Sequence, residues 1–134
     1  MTEELTAPQG TVLVADDDPA ILRLVKAIVE REGFDVVSAR DGKEAYRLLQ
    51  SDGKFTAAIF DVVMPYIQGT ELVKFMQSET QLMDIPVIMM TAEQNPTLSS
   101  ASFKAGAVAF LPKPFTATQL KTMLQMFTQT KRKR

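Results

Sequence analysis

The sequence predicts an α/β fold, a doubly wound five-stranded parallel sheet with helices on both faces. Two observations predict it. Short apolar runs alternate with helix-length segments in five β-then-α units joined by short loops. Four of the runs also end in residues able to handle a phosphoryl group. VLVA leads into Asp16, Asp17 and Asp18; AAIF into Asp61; PVIMM into Thr91; and VAFL, one residue on, into Lys113. Parallel strands would bring all of these side chains to one carboxyl edge, where α/β proteins place their sites.

In chain order, residues 1–10 read as a flexible lead-in, with Pro8 and Gly10 before a first strand near 11–15. A helix follows near 19–31, with Ile21, Leu24, Val25 and Ile28 on one face and Gly33 as a left-handed stop. FDVVSA, 34–39, is the second strand, and Asp41-Gly42 opens a helix running to about Ser51. The third strand covers roughly 56–60, and the third helix starts near Gly69 with Leu72, Val73 and Met76 inward. Asp84-Ile85-Pro86 introduces the fourth strand, 86–90. The fourth helix, about 96–105, is built on mediocre helix formers (Ser99, Ser100, Ser102) and ends at Gly106. A fifth strand spans 108–111. The last helix, near 116–128, carries Leu120, Met123, Leu124 and Phe127 in one stripe, with Thr116 as N-cap. Right-handed crossovers and a flavodoxin-like strand order, 2-1-3-4-5, set strands one and three beside the switch point. Asp16, Asp17 and Asp61 end those two strands.

At 134 residues and 46% apolar composition the chain suits one domain with its own core. Cysteine is absent, which excludes disulfides and fits a cytoplasmic setting; no secretory signal pattern or membrane-length apolar run appears. Histidine is absent too, so the chain has no histidine base, no His-ligated metal and no phosphohistidine of its own. Any metal must sit among oxygens, which favours Mg2+, Mn2+ or calcium. The net charge of −1 hides an asymmetry: Lys131 to Arg134 hold four of fifteen cations, leaving 11 against 16 anions, or −5, over residues 1–130. An acidic body argues against nucleic-acid binding by the domain. The basic tail, 129–134, reads either as a solvated run at the negative end of the last helix, where each cation contributes about 0.3–1 kcal/mol, or as the start of a linker, with nucleic-acid or membrane contact as the remaining alternative.

Three consecutive aspartates repel one another unless something intervenes. Asp18, followed by Pro19 at a first helical position, reads as a helix cap. Asp16 and Asp17 read as metal ligands, because a divalent cation removes their repulsion. Asp61 alone would be an ordinary turn former; beside a cation it becomes a nucleophile able to form an acyl phosphate. Thr91 offers a hydrogen bond to a phosphoryl oxygen, and Lys113, between Pro112 and Pro114, offers a charge on a constrained loop.

VLVADDDP, FDVVMP, MMTA and LPKPF, in order and at family-like spacing, resemble the receiver domain of two-component response regulators over residues 11–128. The resemblance implies that Asp61 is the phosphoacceptor and that Asp17, Asp61 and the Val63 carbonyl ligate Mg2+, with Asp16 acting through a bound water. It implies that Thr91 and Lys113 hold phosphoryl oxygens, that Phe110 is the switch aromatic, and that Val63 and Glu93 tune the phosphoryl lifetime. A sensor histidine kinase or histidine phosphotransfer protein would be the donor. A downstream protein would read the face formed by the fourth helix, fifth strand and fifth helix, with the chain a monomer or weak dimer away from membranes. A cis Lys113–Pro114 bond is also expected, both from the resemblance and from the sharp turn that aims Lys113 into the crevice.

The chain departs from the family pattern at Val108-Ala109-Phe110, where many transcription-factor receivers place two acidic residues and a tyrosine. Its fourth helix lacks their alternating charges, which argues against their familiar dimer. Gln68-Gly69 stands in place of the more frequent Asp-Gly. A stand-alone receiver is the first expectation, since about six residues follow the last helix; the receiver half of a longer regulator is the alternative. An aspartate-nucleophile phosphatase of the haloacid dehalogenase type would use Asp16 and Asp18, but it usually carries Thr or Val where Ala20 stands and would leave Asp61 idle. An FMN carrier is disfavoured because three aspartates would repel the FMN phosphate.

Overall fold

The computed structural model describes residues 9–51, 54–93 and 95–132. Ten elements alternate strictly: β1 (Thr11–Ala15), α1 (Pro19–Arg31), β2 (Asp35–Ala39), α2 (Gly42–Ser51), β3 (Ala57–Asp61), α3 (Gly69–Gln77), β4 (Val87–Thr91), α4 (Pro96–Ala105), β5 (Ala109–Pro112) and α5 (Ala117–Arg132). All strand pairs are parallel, in the order β2-β1-β3-β4-β5. The expected doubly wound sheet is therefore present. Of the lead-in expected over 1–10, residues 1–8 lie outside the described residues, as does the tail end 133–134.

Strand chemistry explains strand position. β3 and β4 are buried at every residue, as suits interior parallel strands covered on both faces. β2 is an edge strand, and its exposed Asp35 and Ser38 mark it. Side-chain alternation sorts the sheet into two apolar layers. Leu13, Phe60 and Met89 face α2, α3 and α4, whereas Val14, Ile59 and Met90 face α1 and α5.

α1 differs from its expected face. It buries Leu22, Val25, Ile28 and Val29, while Leu24 is 46% exposed and Ile21 half-buried. Two overlapping apolar stripes were available, and packing against β2 and α5 selects the one that includes Val29. Asp18 caps this helix, its Oδ1 accepting from the Ala20 N–H at 2.9 Å. Gly33, at φ +96°, and Gly106, at φ +126°, follow α1 and α4 where a side chain would be strained. Thr116 and Gln119 form a reciprocal cap on α5: the Gln119 N–H donates to Thr116 Oγ1 at 3.1 Å and the Thr116 N–H to Gln119 Oε1 at 2.8 Å. The backbone of α5 continues helical to Arg132, so the basic tail begins as part of the helix and not after it. α4 forms despite its serines because the Asn95 side chain caps it and Ser102 is buried, its hydroxyl donating to the Leu98 carbonyl at 2.7 Å.

Candidate functional site

β1 and β3 are neighbours, and their carboxyl ends deliver three carboxylates to one crevice. One carboxylate oxygen each of Asp16, Asp17 and Asp61 lies within 4.8 Å of the others. Asp16 is fully buried and is held from two sides. Its Oδ1 accepts from the Asp18 N–H at 2.9 Å, and its Oδ2 from Lys113 Nζ at 2.8 Å. Lys113 Nζ also lies 3.5 Å from Asp61 Oδ2. Asp17 is the exposed member of the group. Lys113 thus reaches across the sheet edge from beyond β5. Its own N–H donates to the Thr91 carbonyl at 2.9 Å, and the Lys113–Pro114 bond is cis, as expected.

Burial dominates the electrostatics. The Asp61 carboxyl is raised from 3.8 to about 6, by burial first and the Asp16 charge second, with the charge and hydrogen bond of Lys113 opposing and Asp17 contributing least. For Lys113 burial alone would lower the pKa, but the Asp16 hydrogen bond and the Asp61 and Asp16 charges outweigh it and the ammonium is held above its ordinary range. One ammonium facing three carboxylates leaves two negative charges uncompensated when all three ionise. A hard divalent cation matches both that charge and an all-oxygen donor set. The donor set therefore fits magnesium.

Thr91, the last residue of β4, is buried, and its Oγ1 accepts from the Glu93 N–H at 3.2 Å. The structure brings Asp16, Asp17, Asp61 and Lys113 into direct proximity and sets Thr91 at the end of the adjacent strand. Glu93 and Val63 lie on exposed loops beside them. Phe110 sits apart, half-buried on β5, its ring 6.5 Å from the exposed Phe103 ring of α4.

Sequence reasoning missed how the segment after Asp61 is held. The Val62 N–H donates to the Met90 carbonyl and the Gly69 N–H to the Val62 carbonyl, each at 2.9 Å, closing residues 62–69 into a compact loop. A Cβ at Gly69 would collide with the Asp61 carbonyl oxygen and lie 2.7 Å from the Met89 methyl, so the loop can close only over glycine. Within it the Ile67 N–H donates to the Pro65 carbonyl at 2.9 Å, with Tyr66 at φ +74°. This is a tight γ-type turn on a bulky residue, a strain of order 1–3 kcal/mol. Nothing in MPYIQG announces such a turn, since tyrosine is not a residue expected at positive φ. Gly42, read from the sequence only as a helix opener, donates its N–H to Pro65 O at 3.3 Å.

The family model for the response regulator receiver domain matches residues 12–125. Chemotaxis protein CheY1 of Helicobacter pylori is 34% identical over 116 residues, covering 86% of this chain and 94% of that protein. Response regulator GtcR of Aneurinibacillus migulanus is 32% identical over 115 residues; here the match spans 86% of this chain but only 46% of GtcR, about half its length. The solved receiver domain of Francisella response regulator 1452 superimposes with a TM-score of 0.82 at 31% identity, over 92% of this chain and 99% of that one.

Proposed function

This chain belongs to the response regulator receiver family, whose members are phosphoacceptor signalling domains, and from that premise we propose that Asp61 accepts the phosphoryl group in a magnesium-dependent reaction. The observation that carries the assignment is the Lys113 ammonium standing 2.8 Å from Asp16 and 3.5 Å from Asp61, inside a cluster of three carboxylates.

Asp16, Asp17 and Asp61, with the backbone carbonyl of Val63, would hold the cation, Asp16 through a water. The cation, when bound, supplies charge neutralisation for the acceptor and for the incoming phosphoryl oxygens. An ionised Asp61 oxygen attacks phosphorus in line as the nitrogen–phosphorus bond of a phosphohistidine breaks, and the imidazole leaves with its electron pair. Lys113 moves its charge toward a phosphoryl oxygen, and the Thr91 hydroxyl donates to another. Once Thr91 turns inward, Phe110 fills the vacated space and alters the face shared by α4, β5 and α5. Phenylalanine can make that move through packing alone, lacking a phenolic hydrogen bond. Val63 and Glu93, both exposed, stand where they would govern access of the hydrolytic water.

Receiver domains in general exchange with histidine kinases and downstream targets. We place this chain with a sensor kinase or a histidine phosphotransfer protein as donor and a protein target as reader, in the cytoplasm. It catalyses its own phosphorylation and dephosphorylation and turns over no separate substrate. The test is covalent labelling. Acetyl phosphate with magnesium should give a base-labile acyl phosphate at one site, and Asp61→Asn should abolish it. Full-stoichiometry labelling of that variant would move the acceptor elsewhere.

A further inference from the structure

Within the loop that carries Val63, the central turn is not held by its own side chain. This γ-type turn at Tyr66 is strained, and the Tyr66 side chain is 77% exposed, so no buried packing of that ring enforces the conformation. The cation–π contact from Lys43, with its ammonium 5.7 Å from the ring centroid, lies at the surface. What touches the turn at backbone level is the first residue of α2. The Gly42 N–H donates to the Pro65 carbonyl, the same oxygen that accepts from Ile67. A Cβ at position 42 would collide with the Ile67 carbonyl oxygen and lie 2.6 Å from its carbonyl carbon. Both flanks of the turn are thus seated on one glycine, and the obstacle to any larger residue is backbone, not a side chain that can swing aside.

We propose that Gly42 is a positioning residue for the metal site: its bare Cα seats the Pro65–Ile67 turn against the start of α2 and so fixes the Val63 carbonyl two residues before Pro65. The proposal rests on the assignment of that carbonyl as a ligand in the functional reading above. The loop is anchored at its start by Val62 on Met90, at its end by Gly69 on Val62, and in its middle by Gly42 on Pro65. Removing the middle anchor leaves the other two but lets the segment between them drift. Groups that orient a metal ligand from behind characteristically change affinity about 10–100-fold.

The experiment uses the full chain and magnesium alone. Gly42→Ala should retain its circular dichroism spectrum and bind magnesium at least about tenfold more weakly than wild type by calorimetry. Tyr66→Gly keeps the seat and relieves the positive φ, so it should bind magnesium within about twofold of wild type, at higher thermal stability. A folded Gly42→Ala with wild-type affinity overturns the proposal, as does an equal loss in Tyr66→Gly. If Gly42→Ala does not fold, the wild-type amide of Gly42 decides: it should shift during the magnesium titration with the midpoint seen at Asp61 and Val63, and an unresponsive amide overturns the proposal. Failure of wild type itself to bind magnesium would refute the metal reading and this inference with it. Wild-type binding alongside an indifferent Gly42→Ala would refute this inference alone.

Discussion

Neutralising Asp61 should strengthen the metal-free protein. Folding carries Asp61 from water into a site where its carboxyl titrates at about 6 instead of 3.8, with the side chain 8% exposed. Because the folded pKa is the higher one, the folded state binds the extra proton. The group is therefore neutral to stability below pH 3.8, and stability is lost as pH rises through about 6. At about 1.4 kcal/mol per pH unit, the full loss reached by pH 8 is about 3 kcal/mol. It arises from burial first and from Asp16 second, net of the attraction to Lys113; Asp17 adds little. Asparagine has the shape of the protonated carboxyl and can still accept from Lys113, so Asp61→Asn removes this cost. Urea unfolding without divalent cations should show the variant about 3 kcal/mol more stable at pH 8, a midpoint shift of about 1–3 M for slopes typical of small domains. At pH 3.5 the two proteins should coincide. Magnesium at about 100 times its dissociation constant should return about 2.7 kcal/mol to wild type and little to the variant, nearly closing the gap at pH 8. A variant no more stable than wild type at pH 8, or equally advantaged at pH 3.5, would refute the electrostatic account of the crevice.

The other predictions address the remaining members of the site. Asp17→Ala should abolish measurable magnesium binding, while Asp18→Ala, which removes a helix cap, should cost about 1 kcal/mol of stability and leave affinity largely intact; equal losses of affinity would show that the acidic pair is misassigned. Lys113→Ala strands the fully buried Asp16 carboxylate, so the metal-free protein should lose about 3–5 kcal/mol at neutral pH, partly restored by magnesium; a loss below about 1 kcal/mol would deny that this ion pair holds the crevice. Beryllium fluoride with magnesium should shift backbone resonances across 91–115, including Phe110 and its partner Phe103, whereas unchanged shifts there would rule out switching through this face.

The sheet, its order and the crevice were legible because parallel strands end together. Once AAIF and VLVA are strands, Asp61 and Asp16 must meet, whatever the loops do. The caps at Asp18 and Thr116 were legible for a similar reason, since they depend on neighbours two or three residues away. The inward face of α1 was not, because Leu22 and Leu24 are equally apolar and only the approach of α5 and β2 decides between them. The partner of Lys113 was half legible: the crevice was correct, but its shortest contact is to Asp16, across 97 residues of chain. The seating of Pro65–Ile67 on Gly42 left no trace in the sequence. It depends on two backbones meeting, and backbone is common to every residue.

The division of the interior into two apolar layers has a consequence for how such a molecule can change over generations. On β5, Ala109 and Leu111 belong to the layer beneath α1 and α5, while Phe110 packs into the layer beneath α2, α3 and α4. The sheet stands between them as a partition. Substitutions beneath α2, α3 and α4 can accumulate in one compartment without disturbing the packing of α1 or α5 in the other, whereas the face of α4, β5 and α5 draws on both. The crevice carboxylates grow from the ends of the partition itself, between the two compartments. A lineage that remodels the α4–β5–α5 face must therefore change both compartments together, since α4 rests on one and α5 on the other.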